Sequence, residues 1–367
     1  MRILVTINCF GVDASADGGL AAASMMAGAG HSVLVQAASG GPVAAAAGEL
    51  GLETAGLSLR RSSFLTGLLP LRNLVRRFAP DVVCATRAEG QTAMAIVAPG
   101  VPSVRVRCDI RKPRSGRLWR FVDRRTDLVV LPSPFMLKRG YAGERSGPVA
   151  VIPHPVDTER FRYTARPVPG DPVLVSVGRL SPMKGHRTLI RALPLLPERV
   201  RAVIAGPPSQ QSAEELSAFA RDLGVAERLS ITGRVRDPRT VISRGTLGVV
   251  TSLGSEAVSR SGLEMMSSGL PLLAAATNGL LDLVRDGVTG LLHSPGNHRQ
   301  LASQAEFLLR NPSLVERMGR KARKTCVDEY SRAAVGGMWE RVLEALTGRE
   351  QEPVSKVSSL NRREGGI

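Results

Sequence analysis
Short apolar runs alternate with longer stretches of helical periodicity along nearly the whole chain. In the first half the runs fall at residues 2–7, 32–37, 81–86, 103–108, 127–131 and 149–153, with helical stretches such as 20–29 and 68–78 between them. In the second half they fall at 173–178, 201–206, 229–233, 247–252 and 270–276. Strands that are apolar along their whole length, each followed by a helix, belong to parallel sheets covered on both faces. The pattern breaks across the Pro- and Arg-rich stretch VIPHPVDTERFRYTARPVPGDP and restarts at Val173. The chain therefore reads as two doubly wound, Rossmann-like α/β domains, residues 1–165 and 166–333. The helical stretch 334–348 is expected to pack back onto the first domain, and the polar, patternless 349–367 to be disordered. Ligands of such sheets bind beyond the carboxyl ends of the strands, here most simply in a cleft between the two domains.

Two segments that follow second-half strands carry chemistry. In GRLSPMKGH, Gly178 lets the backbone leave its strand tightly, and Arg179 and Lys184 project where a ligand sits. Fixed cations there suit a diphosphate, whose charge grows as the bond to it breaks. The plainer alternative is two solvated bases on a loop. The second segment, SEAVSRSGLEMMSSGLPLLAA, places Glu256 and Glu264 on either side of a turn of small residues, Ser259, Ser261 and Gly262. A helix starting near Ser261 would aim its first amides and the positive end of its dipole at phosphate oxygens. Carboxylates repel a diphosphate, so their work there is to bind hydroxyl groups: Glu256 those of a sugar, Glu264 a ribose diol. A surface acid plus a helical acid is the bland alternative. A carboxylate-pair glycosidase is another, but it leaves the Arg/Lys pair unexplained.

The net charge of +17 over 367 residues admits a nucleic acid, an anionic membrane face or an anionic substrate as partner. The arginines are dispersed and aromatics make up only 4% of the chain, which disfavours nucleic acid. The densest basic segment, RVRCDIRKPRSGRLWRFVDRR at 105–125, holds Trp119 and Phe121 and suits an anionic acceptor or membrane surface, or else is a solvated basic helix. The four cysteines lack metal or redox spacing, which fits a reducing cytoplasm. No leader sequence and no window of about 20 apolar residues is visible, so a cytoplasmic protein with at most peripheral membrane contact is expected. GVDASADGG is not the dinucleotide fingerprint, and no phosphate loop of the G-x-x-x-x-G-K-[ST] type occurs.

GRLSPMKG, the glutamate pair, SSGLPLLAAATNGLLDLV and RDGVTGLL together resemble family 4 of the retaining glycosyltransferases, with the GT-B fold. GGLAAASMMAGAGHSVLV, FAPDVVCATRAEGQTAM and VAVIPHPVDTERF extend the resemblance over most of residues 1–330. It implies transfer of a sugar from a nucleotide diphosphate donor, with UDP favoured, to an acceptor hydroxyl of a cell-envelope glycan such as a lipopolysaccharide, capsule or lipid-linked intermediate. It also implies that Arg179 and Lys184 hold the diphosphate, Glu256 faces the donor sugar and Glu264 the ribose. The backbone from Ser259 through Arg260 and Ser261 to Gly262 would line the phosphates, Gly233-Arg234-Val235 the base, and the glycine loop at Gly18 and Gly19 would approach the donor. No cofactor or metal is implied. The chain departs from the family pattern at Ala257 and Ser259, where relatives carry glycine, and at Arg107-Cys108-Asp109, where they carry histidine; Asp109 is then the nearest polar candidate for catalysis. That departure motivates the alternative of a non-catalytic protein that binds a sugar nucleotide or an anionic glycan. His31, at a helix-to-strand turn, reads as structural, and His154 as shaping the hinge.

Overall fold
Among the described residues of the computed structural model every strand pairing is parallel, as the unbroken apolar runs require. The structure describes residues 1–9, 11–59, 63–111, 113–143, 147–163, 170–254 and 257–348. Two units divide the chain, Met1–Pro155 with Ala333 onward, and Val156–Arg332. Each is an α/β sheet with helices on both faces, the GT-B class of architecture.

The first unit contains β1 (Arg2–Thr6), β2 (Ser32–Ala37), β3 (Glu53–Gly56), β4 (Val82–Ala85), β5 (Ser103–Val106), β6 (Leu128–Leu131) and β7 (Val149–Val151). Their order is β3-β2-β1-β4-β5-β6-β7, so the winding reverses between β1 and β4. Val335, Trp339, Val342 and Leu343 of the helix Arg332–Leu346 are buried in this unit's core beside Ile3, Val33 and Met26. His31 has a structural role: its Nε2 lies 2.9 Å from Glu340 Oε1 on that helix.

The second unit contains β8 (Val173–Val177), β9 (Arg201–Ala205), β10 (Leu229–Gly233), β11 (Leu247–Val250), β12 (Leu272–Ala275) and β13 (Gly290–His293). Their order is β10-β9-β8-β11-β12-β13, which places the reversal between β8 and β11. The domain boundary expected at 165/166 falls among residues that are not described, and the chain belongs to the second unit well before it. Val156 N donates to Tyr330 O at 2.7 Å, and Phe161 is buried in the second unit's core. One guanidinium nitrogen of Arg323 donates to the carbonyls of Thr158, Phe161 and Ser267 at 2.8, 2.9 and 3.1 Å, tying this entry strand of chain to the helix Arg260–Ser267. The tail expected at 349–367 also lies outside the described residues.

β3 and β13 escape the sequence pattern, unlike the other two edge strands β7 and β10, because neither carries a sustained apolar run. ETAG is polar and mostly exposed, and GLLH presents only two apolar residues in a row. Conversely, the runs at 103–108, 173–178 and 247–252 continue past the last paired residues, Val106, Val177 and Val250. Those overhanging residues sit at the carboxyl ends of the sheets.

Candidate functional site
Both chemistry-bearing segments of the second unit leave its sheet at the winding reversal, residues 178–185 after β8 and residues 251 onward after its neighbour β11. A crevice opens at such a point because the chain departs in opposite directions from adjacent strands. The two segments are fastened to each other. Thr251 Oγ1 donates to the Lys184 carbonyl at 3.0 Å and Leu253 N to the Met183 carbonyl at 2.8 Å. Pro182–Lys184 forms a 3₁₀ turn that ends on Gly185 at φ +67°. A Cβ on Gly185 would fall 2.0 Å from the Thr251 carbonyl oxygen, so glycine is needed for both the left-handed backbone and the close approach.

Lys184 and Gly178 are in contact range. A Cβ on Gly178 would meet the Lys184 stem at 3.6 Å, so the half-buried lysine lies across the end of β8. Arg179, the next residue after Gly178, is exposed. Beneath it lies His186, 1% exposed and unremarked in the sequence reading. Its Nε2 donates to the Arg179 carbonyl at 3.1 Å, and its Nδ1 lies 3.4 Å from Ser176 Oγ, which leaves Nδ1 as the acceptor. Burial lowers the His186 pKa, so the ring is neutral and positions the Arg179 backbone. The available signal was Ser176, a polar residue inside the buried run VLVSV.

The helix begins at Arg260, capped by the buried Ser259, whose Oγ accepts from the Gly262 amide at 3.3 Å. One of the amides expected to meet phosphate is therefore satisfied by the cap. The smallness of Gly262 also has a packing cause, since a Cβ there would fall 2.9 Å from Leu283 Cδ2. Ser261 and Glu264 are half-buried on this helix and Arg260 is exposed. Glu256 lies outside the described residues, so the structure does not place the first member of the glutamate pair. Gly233 ends β10 at φ +65° with its carbonyl accepting from Gly206 N at 2.8 Å; Arg234 is exposed, and Val235 packs against the core.

In the first unit Gly18 and Gly19 are not in a loop. Both are buried inside the helix Ala14–Gly28, which starts four residues earlier than Gly18 because Asp13 caps it through Ser15 N and Ala16 N. A Cβ on Gly18 would fall 2.2 Å from Cys108 Sγ, and one on Gly19 would fall 2.4 Å from Thr86 Cγ2. The smallness of both glycines thus has a packing cause within the first unit. Asp109 is half-buried; its Oδ2 accepts from Ser15 Oγ at 3.4 Å and its Oδ1 from Arg111 N at 3.2 Å. Burial pushes the Cys108 thiol up to about 12, so it is a neutral packing group. His154 Nδ1 donates to the Pro155 carbonyl at 3.1 Å, and Asp17 Oδ2 lies 3.3 Å from its Nε2 without hydrogen-bond geometry. Among the described residues no group of three His, Cys, Asp or Glu side chains is arranged to hold a metal ion, and no helix is long and apolar enough to cross a membrane.

Two parallel Rossmann-like sheets, with cationic and small-residue segments at the reversal of the second, define a GT-B protein. Residues 157–325 match the profile of glycosyl transferases group 1, and residues 20–160 that of glycosyltransferase family 4. The chain belongs to this glycosyltransferase family. It is 28% identical over 288 residues to the lipopolysaccharide core biosynthesis glycosyltransferase LpsE of Rhizobium meliloti, covering 75% of this chain and 80% of that one. It is 32% identical over 191 residues to the D-inositol 3-phosphate glycosyltransferase of Nocardia farcinica, covering 47% of this chain. The match spans only 42% of that relative's length, less than half of it. The crystal structure of Anabaena HepE in complex with UDP superposes with a TM-score of 0.83 at 20% identity, covering 94% of this chain and all of that one, and so shares the fold.

Proposed function
We propose that the chain is a retaining glycosyltransferase that moves a sugar from a UDP-sugar donor to an acceptor hydroxyl in the assembly of a cell-envelope glycan. The observation that carries this reading is the fastening of residues 178–185 to residues 251–253 at the reversal of the second sheet, which holds Lys184 against the end of β8. In the proposed step the sugar C1–O bond to the diphosphate breaks and a bond from C1 to the acceptor oxygen forms on the same face. The acceptor proton passes to a donor phosphate oxygen. Arg179 and Lys184 neutralise the departing diphosphate, in place of a metal ion. The amides at the start of the helix Arg260–Ser267 add positive potential. Glu264 binds the ribose diol, Glu256 the sugar hydroxyls, and Gly233-Arg234-Val235 the base. Asp109 is the proposed polar group of the first unit nearest the chemistry. The names of the R. meliloti and N. farcinica relatives support envelope or small-molecule glycosylation as the setting. The basic charge supports peripheral contact with an anionic inner membrane face.

The test is a donor panel of UDP-glucose, UDP-galactose, UDP-N-acetylglucosamine and GDP-mannose with the purified chain, scored by mass spectrometry for released nucleoside diphosphate. Release of UDP that depends on an added glycan acceptor is expected. Tight donor binding with no release across a broad acceptor set would instead favour a non-catalytic binding protein, and no binding of any donor would end both readings.

A further inference from the structure
The first unit has a second chemical centre that the donor site does not use. A cavity of about 100 Å³ lies against β5 and β6, walled by the helices Ala88–Val97 and Arg117–Arg124. Five arginines line it, Arg87, Arg105, Arg107, Arg111 and Arg114, against three acids, Glu89, Asp109 and Asp123, which leaves an excess of two positive charges. Strand alternation explains the cluster. Val104 and Val106 face the unit's core, so Arg105, Arg107 and Asp109 fall on the opposite face. An arginine at Arg105, only 7% exposed in the middle of a parallel sheet, breaks the apolar rule for such strands. Departures of that kind concentrate at sites of function.

The arginines are unequally committed. Arg105 is spent on structure, donating to the carbonyls of Ala85 at 3.0 Å and Val106 at 2.8 Å. Arg87 is ion-paired with Asp13, which is not part of the cavity wall, and donates to Cys9 Sγ at 3.2 Å. Arg107 is only partly committed: one terminal nitrogen donates to the Arg111 carbonyl, but the side chain is 11% exposed, its buried Nε has no hydrogen-bond partner, and its carboxylate contact, to Asp109, is a loose 3.9 Å. A buried donor left unpaired is costly, and an oxyanion in the cavity would satisfy it. Arg114 reaches Glu89 only at 3.6 Å and stacks over the Trp119 ring at 5.0 Å, forming an outer wall with both charge and an apolar face. Burial and the neighbouring Arg107 charge both depress the Arg105 pKa, to about 10, a repulsion that an anion between the two would relieve.

We propose that this cavity seats a phosphate monoester carried by the molecule that accepts the sugar, gripped by Arg107 and Arg114 with the ester's carbon portion against Trp119. Two guanidinium groups, each presenting several N–H donors, suit the three terminal oxygens of a monoester better than the two of a carboxylate. The link to an acceptor rests on the glycosyltransferase reading above, whereas phosphate binding itself does not. The phosphate can belong to a soluble ester or to a lipid headgroup.

The experiment has two arms. Calorimetry compares glycerol 3-phosphate with glycerol, and co-sedimentation compares phosphatidylcholine vesicles with and without phosphatidic acid. At least one phosphate-bearing probe is expected to bind above its control, and Arg107→Gln and Arg114→Ala are each expected to weaken that binding about tenfold or more. Arg114 is 57% exposed, so its truncation leaves the fold intact even if Arg107→Gln does not. Binding in the soluble arm assigns a soluble ester, and binding in the vesicle arm alone assigns a lipid phosphate. Absence of binding in both arms, or binding unchanged by Arg114→Ala, overturns the proposal. A parallel UDP titration separates the two readings: UDP bound without phosphate sinks this inference alone, and phosphate bound without UDP sinks the proposed donor site alone.

Discussion

Gly185 and Gly178 stand in the same short motif, and the structure assigns them opposite tolerances to a methyl group. At Gly185 alanine must hold φ +67°, which costs about 1–2 kcal/mol for a residue with a side chain. Its Cβ would also stand 2.0 Å from the Thr251 carbonyl, whereas ordinary contact begins at 3.4 Å, so the 3₁₀ turn must withdraw by more than an ångström. That withdrawal breaks or stretches the bonds from Thr251 Oγ1 to Lys184 O and from Leu253 N to Met183 O, each contributing about 1 kcal/mol net. Gly185→Ala should therefore cost about 3–4 kcal/mol, a fall of about 6–16 °C in the melting transition of a unit of roughly 150–250 residues. It should also weaken UDP binding, because the turn that carries Lys184 has moved. At Gly178 the new methyl meets only the flexible Lys184 stem at 3.6 Å, and the backbone φ is not positive. Gly178→Ala should change stability by no more than about 1 kcal/mol. Differential scanning calorimetry with and without UDP reads both effects. Equal melting temperatures for Gly185→Ala and the wild type would refute the claim that the two segments are fastened at this point.

Acidification should loosen the site through His186. Its pKa is lowered by burial below the unfolded value of about 6.5, so the unfolded chain takes up the proton first and stability is complete above about pH 6.5 and is lost as pH falls toward the folded pKa. Chemical denaturation across that window should show a pH-dependent loss in the wild type that is smaller in His186→Gln, the remainder belonging to the buried His293, and an identical pH profile in both would contradict it. Gly18→Ala should destabilise the first unit by about 1–3 kcal/mol, since its Cβ overlaps Cys108 Sγ at 2.2 Å, and Cys108→Ala in the same chain should restore most of that loss in urea unfolding; failure of the rescue would mean the two do not share that space. Arg323→Ala should cost the second unit about 2–4 kcal/mol by leaving the Thr158, Phe161 and Ser267 carbonyls without their common donor, and an unchanged melting point would show that the entry segment is held by other means.

Much of this molecule was legible from pattern alone, because parallel strands buried on both faces carry continuous apolar runs. The central strands stand out in the sequence for that reason, while ETAG and GLLH, at the sheet edges, carry too little apolar residue to show. GRLSPMKG and the small-residue stretch before Glu264 were legible because each breaks an apolar run with charge and glycine at a strand end. What the pattern did not resolve was the cause of each glycine. Gly18, Gly19 and Gly262 looked like room left for a ligand, and in the fold they make room for Cys108, Thr86 and Leu283. A missing side chain leaves the same trace in a sequence whichever neighbour fills the gap. His186 and Arg105 were hidden for a related reason: their roles depend on the carbonyls of Arg179, Ala85 and Val106, and backbone acceptors leave no mark in the sequence.

The proposed donor role of Arg179 and Lys184 is tested most directly by calorimetric titration of UDP into the wild type and the Arg179→Ala/Lys184→Ala double variant, both checked for unchanged melting. The wild type is expected to bind, and the double variant to lose about a hundredfold or more in affinity as two charge-assisted contacts to the diphosphate disappear. Equal affinity in the two proteins would contradict that role.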